Sequence, residues 1–376
     1  MEVKLIDNFD DFLKLRQPWN ELSRQTPDDH AFMRHEWFEH WLSSQEMTSR
    51  LHVITGWQDG QLVGVLPLVW KSIRLRGMHL RSLGLAESSV SPRCNALIVE
   101  GERLGPLVER LVTERKSQLI ELQHLEAASP TTRSLVASLR HQSRLLVHVS
   151  PGRQSPYLTV DRSWDEYMKG LSGHRRAWIR GTIKKLQANG RPFEFRYISD
   201  ESGAEFLTGA IMQVSNRSWK ADVGTAISQV PSQQRLYAEF TRIGLAHGLV
   251  EAIVLTIDGR PVAFDYYLTC GRRHSLIRGD FDKEYAGCRP GENIRAAYIT
   301  RLGQSAVPAE VDFGGAVAEY KSLWANAIRD HIVIHAATPY RRGALVLLWK
   351  KLTGGEQRHL IRDGSAAAGR LPDSYL

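Results

Sequence analysis

Cysteine is scarce in this 376-residue chain: only Cys94, Cys270 and Cys288 occur, far apart and without a CxxC pair. An odd, scattered set argues against a disulfide framework and a structural zinc site, and marks the three as reduced, structural thiols. Long apolar runs are missing too, none approaching the roughly 20 residues that span a bilayer. The start, Met1-Glu2-Val3-Lys4-Leu5-Ile6-Asp7, has neither the basic residues nor the apolar stretch of a secretory signal, so a cytoplasmic location is expected. No GxSxG elbow, Walker A loop or GxGxxG following a strand is present, which removes the usual signatures of a serine hydrolase, a P-loop enzyme and a dinucleotide enzyme. His35-Glu36-Trp37-Phe38-Glu39-His40 resembles a zinc helix, but its histidines are five apart, roughly 140° around a helix at 3.6 residues per turn. A structural aromatic helix is expected there, and no metal.

What is present describes a folded, basic protein. Hydrophobic residues make up 42% and charged residues 24%, with a net charge of +8 and a pI near 9.4. Such a balance suits anionic partners: phosphates, nucleotides, RNA or acidic lipid surfaces. The length suggests two domains.

Duplication supports that division. Asp59-Gly60 and Asp258-Gly259 each sit between apolar runs, His52 to Trp57 with Leu62 to Trp70, and Ala252 to Ile257 with Pro261 to Thr269. Asp-Gly in that setting predicts a two-residue hairpin, because both turn positions need positive φ. After each hairpin the pattern predicts strand, helix, strand, helix: 95–99, 106–118, 119–125 and 131–141, then 274–281, 292–302, 310–313 and 320–329. The turn-rich stretch Ser150 to Pro156 is the expected linker. The domains are placed at 1–150 and 157–352, followed by a flexible basic tail at 353–376.

Two segments carry the candidate chemistry. In the first, a strand ends near Phe281 and Pro290-Gly291-Glu292-Asn293 opens a helix. Free amides and positive charge at a helix N-terminus can hold a pyrophosphate, with Gly291 allowing close approach and Arg289 adding a charged hydrogen bond; equally, Pro-Gly is ordinary helix punctuation. In the second, Asp312, the Gly314-Gly315 turn and Tyr320-Lys321 could bring carboxylate, phenol and ammonium over a sheet edge. The alternative makes Asp312 a cap, Tyr320 core and Lys321 solvated.

The ordered set of the Asp258-to-Phe264 hairpin, Phe281-Asp282, Pro290-Gly291, Asp312-Phe313-Gly314 and Tyr320-Lys321-Ser322-Leu323-Trp324 resembles the cellulose-biosynthesis (CelD/BcsL-type) acyltransferases of the GNAT superfamily. It is also similar to the Fem-type aminoacyl transferases, which have two GNAT-like domains. The resemblance implies an α/β (α+β) fold of tandem GNAT-like domains, each a mixed, mostly antiparallel central sheet flanked by helices. It further implies an acyl-CoA such as acetyl-CoA as co-substrate, held by Arg289, Pro290, Gly291, Glu292 and Asn293. Where relatives carry Arg-Gly after Asp-Phe-x, this chain has Gly315-Ala316, so another cation, Arg289 or Lys321, would have to serve.

On this reading the acceptor, an amine or hydroxyl on a small molecule or glycan precursor, attacks the thioester directly. A free amine must first lose a proton; Asp265, Asp280 and Asp282 are the candidates to take it, with Asp312 beside them. Tyr320 would protonate the leaving thiolate, and Lys321 would hold a phosphate or the oxyanion. Asp265 pairing with an arginine such as Arg278, and Asp282 closing a turn, are the structural alternatives.

Gly173 to Arg191 holds six Arg or Lys residues and no acid and predicts a cationic amphipathic helix. Arg176, Arg180 and Lys184 on it, together with Trp219, are the expected acceptor contacts; a solvated face is the plain alternative. Tyr340 to Lys351 is also basic and apolar, read as packing on the second domain rather than as a peripheral membrane contact. Two further functions fit the same residues: a transferase using aminoacyl-tRNA, and a non-catalytic scaffold of a polysaccharide or secretion assembly. DNA is not an expected partner, and the oligomeric state is left open.

Overall fold

The computed structural model describes residues 1–347 apart from 27–28, 76–77, 88–92, 115, 316 and 346, and the chain divides into two compact units. The first contains β1 (Glu2–Ile6), α1 (Phe9–Leu13), α2 (Arg16–Gln25), α3 (His35–Ser44), β2 (Leu51–Gln58), β3 (Gln61–Leu75) and β4 (Met78–Leu85). It continues through β5 (Leu97–Ile98), α4 (Leu104–Val112), β6 (Leu119–Glu126), α5 (Pro130–His141) and β7 (Leu146–Pro151). The second contains β8 (Ser155–Val160), α6 (Trp164–Gly170), α7 (Gly173–Ala188), β9 (Phe193–Ile198), α8 (Ala204–Arg217), α9 (Trp219–Asp222) and α10 (Pro231–Ala246). Then follow β10 (Val250–Ile257), β11 (Arg260–Cys270), β12 (Arg273–Phe281), α11 (Pro290–Leu302), β13 (Ala309–Asp312), α12 (Glu319–Ser322) and β14 (Ala327–Arg329). One last strand, β15 (His331–Ala337), returns to the first unit.

Each unit is a mixed, mostly antiparallel sheet flanked by helices. The first sheet runs β1-β2-β3-β4-β6-β15-β7, with β5 beside β3; the second runs β9-β10-β11-β12-β13-β8-β14. The two orders correspond place by place, and in each the fourth and fifth strands are the parallel pair. The duplicated Asp-Gly turns head the corresponding hairpins. Asp59 and Gly60 have φ of 51° and 77°, Asp258 and Gly259 of 50° and 75°, so both pairs adopt the left-handed conformation that a two-residue hairpin loop demands.

The C-terminal domain does not run to residue 352. β15 pairs with β6 and β7, and Ile332, Ile334 and Ala336 lie fully buried in the first unit's core with Trp19, Phe38, Ile54 and Leu135. Each buried isoleucine is worth about 2 kcal/mol, and that burial, invisible to local pattern, decides which sheet the strand joins. The expected helix over 320–329 is also shorter: α12 stops at Ser322, and Ala327–Arg329 form the edge strand beside β8, so strand pairing overrides helical spacing. Likewise 95–99 contracts to two residues of strand and 106–118 to a helix ending at Val112. His35 stacks on Phe12 at 4.2 Å inside the aromatic core, and among the described residues no cluster of three metal-ligating side chains occurs. The tail at 353–376 lies outside the described residues.

Nothing would touch a Cβ added at Gly259, so its requirement is conformational. Gly259→Ala is expected to cost about 1 kcal/mol, read as a lowered Tm by calorimetry, whereas Gly259→Asn, which tolerates positive φ, stays near wild type. Equal losses for both variants would show that the turn is not the constraint.

Candidate functional site

The second sheet opens at one place. β12 pairs in parallel with β13 only from Arg273–Ser275 to Glu310–Asp312, yet β12 itself continues to Phe281 against β11. Among the described residues no strand covers the other edge of Leu276–Phe281. A register shift lies within that stretch: Tyr266 faces Arg278 and Tyr267 faces Leu276, leaving Ile277 as an unpartnered bulge residue. A bulge bends its strand and increases the local twist, which directs β12 away from β13.

β12 leads through a 3₁₀ stretch, Lys283–Cys288, into α11. Arg289, left-handed at φ 50°, precedes Pro290 at the first helical position, where a missing N–H costs nothing. The amides of Gly291 and Glu292 face no helical acceptor, and a Cβ on Gly291 would meet only Phe281, at 3.7 Å. The Arg289 guanidinium lies 5.5 Å from the Trp178 ring centroid. Glu292 offers its amide alone, since its carboxylate complements the helix's positive end. Asn293 is committed elsewhere: its buried amide donates to the carbonyls of Thr182, Cys288 and Arg289 at 3.2, 2.9 and 3.0 Å, clamping α11 to α7.

Beneath α11 lies a buried polar network. Asp265, 1% exposed, accepts from Tyr267 Oη at 3.1 Å and pairs with Arg295, whose Nε is 3.4 Å from Oδ2. Gly279 leaves the space: a Cβ there would sit 2.2 Å from Asp265 Oδ1. Burial raises the Asp265 carboxyl to about 6 against the lowering pull of Arg295. The Arg295 guanidinium lies 5.9 Å from the Tyr320 ring, and burial raises the Tyr320 phenol although 54% of that residue is exposed. Tyr267 stacks on Tyr298 at 4.0 Å, and Tyr298 bonds to Glu251 at 2.9 Å and His274 at 2.8 Å; burial lowers His274 to about 4.

Arg278 is therefore not the partner of Asp265. It projects from the opposite face to Asp280, at 2.9 Å, where Lys220 also bonds Asp280; burial lowers the Lys220 ammonium. Asp282, fully buried, accepts from the Glu284 amide at 3.1 Å and from Arg260 at 3.2 Å, so it caps the 3₁₀ stretch and anchors a turn. Asp312 accepts the Gly314 amide at 2.7 Å, and Lys321 Nζ donates to the Gly314 carbonyl at 2.5 Å. Both close the Gly314-Gly315 turn, whose residues have φ near 60°. Ala316 lies outside the described residues. These carboxylates thus occupy two faces and a turn rather than one point.

On α7, Arg175 is buried and donates to the Ser322 carbonyl at 3.3 Å and to that of Leu323, which fixes the end of α12 beside Tyr320 and Lys321. Arg176 bonds the Lys169 carbonyl at 3.1 Å. Arg180 and Lys184 are exposed, and Trp219, 54% exposed on α9, neighbours Lys220. Arg295 and Lys220 were missed from the sequence. Arg295 is three residues before Tyr298 and seven before Leu302, on the buried stripe of α11, and a charge in that stripe was the available signal. Lys220 had none beyond its neighbour.

The Acetyltransferase (GNAT) domain family matches residues 173–322, which contain the open edge of β12, α11 and Lys321. No curated protein matches the chain. Among solved structures, FemX is similar at 12% identity and a TM-score of 0.57, over 94% of this chain and 100% of FemX. A conserved protein of unknown function from Bacteroides thetaiotaomicron matches at 12% and 0.54, over 89% and 99%. The C-terminal domain of a provisionally named lysylphosphatidylglycerol synthetase from Agrobacterium fabrum matches at 12% and 0.53, over 90% and 95%. At such identity these likenesses establish the fold. Together with the domain matched over residues 173–322 they support a GNAT-type fold and stop short of a cellulose-specific type.

The Asp265 carboxyl has a pH signature. Its folded value of about 6 lies above an unfolded value of about 3.9, so between these the native state keeps a proton the unfolded chain has released. Its contribution to stability therefore falls as pH rises through that window and levels off above it. Relative to Asp265→Asn, the wild type should lose up to about 3 kcal/mol between pH 3.5 and 7 in urea unfolding. Parallel curves for the two proteins would refute the assignment.

Proposed function

We propose that the second unit transfers an acyl group from an acyl-CoA to an amine or hydroxyl. The observation that carries this is the open edge of β12 from Leu276 to Phe281, ending where α11 begins. Backbone N–H and C=O groups along that edge suit an amide-bearing pantetheine arm, and the Gly291 and Glu292 amides with Arg289 suit its diphosphate.

With the thioester carbonyl in the gap, a neutral acceptor attacks the carbonyl carbon to give a tetrahedral oxyanion and releases its own proton to solvent. Collapse breaks the C–S bond, and the thiolate takes a proton from the Tyr320 phenol, which is replenished from solvent. A phenol is ordinarily protonated at neutral pH, and burial raises this one further, so the proton is present when the thiolate leaves. Lys321 holds the Gly314 carbonyl and places its positive charge at the mouth of the gap, where it favours the oxyanion. Asp265 serves indirectly, by pairing with Arg295 and so holding its guanidinium beside the Tyr320 ring.

The exposed Arg180, Lys184 and Lys185 on α7 and the likeness to Fem-type enzymes support a second reading, an aminoacyl-tRNA donor. Strongly salt-dependent tRNA binding without acetyl-CoA binding would favour it. The cellulose-specific type rests on the order of motifs alone, and an envelope or exopolysaccharide acceptor with it.

Calorimetric titration with acetyl-CoA is expected to show micromolar binding. Tyr320→Phe and Lys321→Ala should each lower turnover about 100-fold, while Tyr320→Phe moves Tm little because that side chain is largely solvent-exposed. Folded protein that binds no acyl-CoA, or variants that turn over like wild type, would dispose of the proposal.

A further inference from the structure

A cleft of about 370 Å³ lies in the second unit between α7, the edge strand β9 and α11. Ile183 and Leu186 of α7 form one wall, Phe193, Phe195 and Tyr197 of β9 the other, and Ala297 of α11 lies on the floor. The polar groups deep in it are consumed within the protein. Tyr197 Oη donates to the Ala297 carbonyl at 3.0 Å and Thr300 Oγ1 to the Ala296 carbonyl at 2.8 Å, while the Asn293 amide donates to three carbonyls. The lining is therefore mostly carbon, with Trp164 and Gln304 its remaining hydrogen-bonding side chains besides Arg301.

The rim differs. Ile183 and Phe193 stand at the lip, 36% and 39% exposed. Arg180, three residues before Ile183 and so its neighbour on the helix surface, and Lys184, next in sequence, are both exposed on α7, and Arg301 of α11, which lines the cleft, lies 4.6 Å from the Tyr197 ring. Among the described residues no ion pair neutralises these three cations. Glu194, the acid nearest in sequence on β9, alternates to the other side of the strand from Phe193 and Phe195. Strand addition is discouraged because Arg196, on that other side, is laid 3.8 Å over Phe206 and keeps a charge at the edge.

A carbon-lined cleft rimmed by unneutralised cations is complementary to one kind of molecule: an amphiphile with a hydrocarbon chain and an anionic head. We propose that this face docks on an anionic phospholipid surface, an acyl chain entering between Ile183 and Phe195 while its phosphate meets Arg180, Lys184 and Arg301. The acyl-transfer reading is not needed for this inference.

The test is vesicle co-sedimentation of the full chain with phosphatidylcholine alone and with phosphatidylcholine plus phosphatidylglycerol. Binding is expected only to the anionic vesicles, weakening as salt is raised. Arg180→Glu with Lys184→Glu should reduce it about tenfold or more. Phe193→Ser, at an exposed position, should reduce it at constant charge. Absence of vesicle binding, or binding that both variants leave unchanged, overturns the proposal. So does a tRNA complex that the double variant abolishes while vesicle binding persists, or a dimer by sedimentation that Phe193→Ser dissociates, since the occupant would then be RNA or a second copy.

Discussion

The site depends on a parallel pairing that stops after three residues. Arg273, His274 and Ser275 are held on both sides, by β11 and β13; from Leu276 onward β12 has a partner on one side only. A fully paired strand would have no edge to offer, and a freely mobile one could not position a ligand. The Ile277 bulge and the glycine turn after Asp312 together keep β12 ordered and its edge uncovered. Asp312 and Lys321 matter through that turn, one bonding the Gly314 amide and the other its carbonyl, so residues that read as catalytic in sequence first act to end β13 where it ends.

The first unit has an equally short parallel pairing, but there β6, the counterpart of β13, runs on past it while β4, the counterpart of β12, ends at Leu85. β4 and β6 pair in parallel only from Ser82–Gly84 to Leu119–Glu121, and β6 then continues to Glu126. There the Lys71 stem lies against Gly84, its Cδ 3.1 Å from where a Cβ would be, and Lys71 pairs with Glu87, which is also 3.3 Å from His124. Mutually paired charges have largely spent their capacity to bind another ion. In the second unit the corresponding strands are followed by an uncovered edge and a helix N-terminus. Duplication has preserved the frame while the side chains diverged.

The parts of the fold that were legible in the sequence are those set by local chemistry. Asp-Gly turns, Pro290 at a helix start and the aromatic helix at His35 each express a backbone or packing requirement within a few residues. β15 and β14 were not legible, because their fate is decided by partners far away in the chain: Leu122 and Val149 for Ile334, Tyr157 for the stretch just before β14, through Asn326. In the site, Asp265 and Tyr320 could be singled out by type and alternation. Their link could not, since it runs through Arg295, a cation that composition treats as surface and the structure buries.

The two long-range strands are one phenomenon. β7 ends the first unit's sheet at its edge, and the chain then enters the second sheet as β8; β14 ends the second sheet at its edge, and the chain returns to the first as β15. Each sheet thus takes its sixth strand from the segment that follows the other's seventh. A short connection such as residues 152–154 leaves little room for a strand to fold back beside its own neighbour, whereas the next sheet offers a complete row of unpaired amides and carbonyls. Burial then fixes the choice, with Ile332, Ile334 and Ala336 in one core and Leu158 and Val160 shielded in the other. The division into domains is therefore real for packing and absent for connectivity, and a cut at residue 156 would take from the first unit a strand that lies more than 170 residues further along the chain.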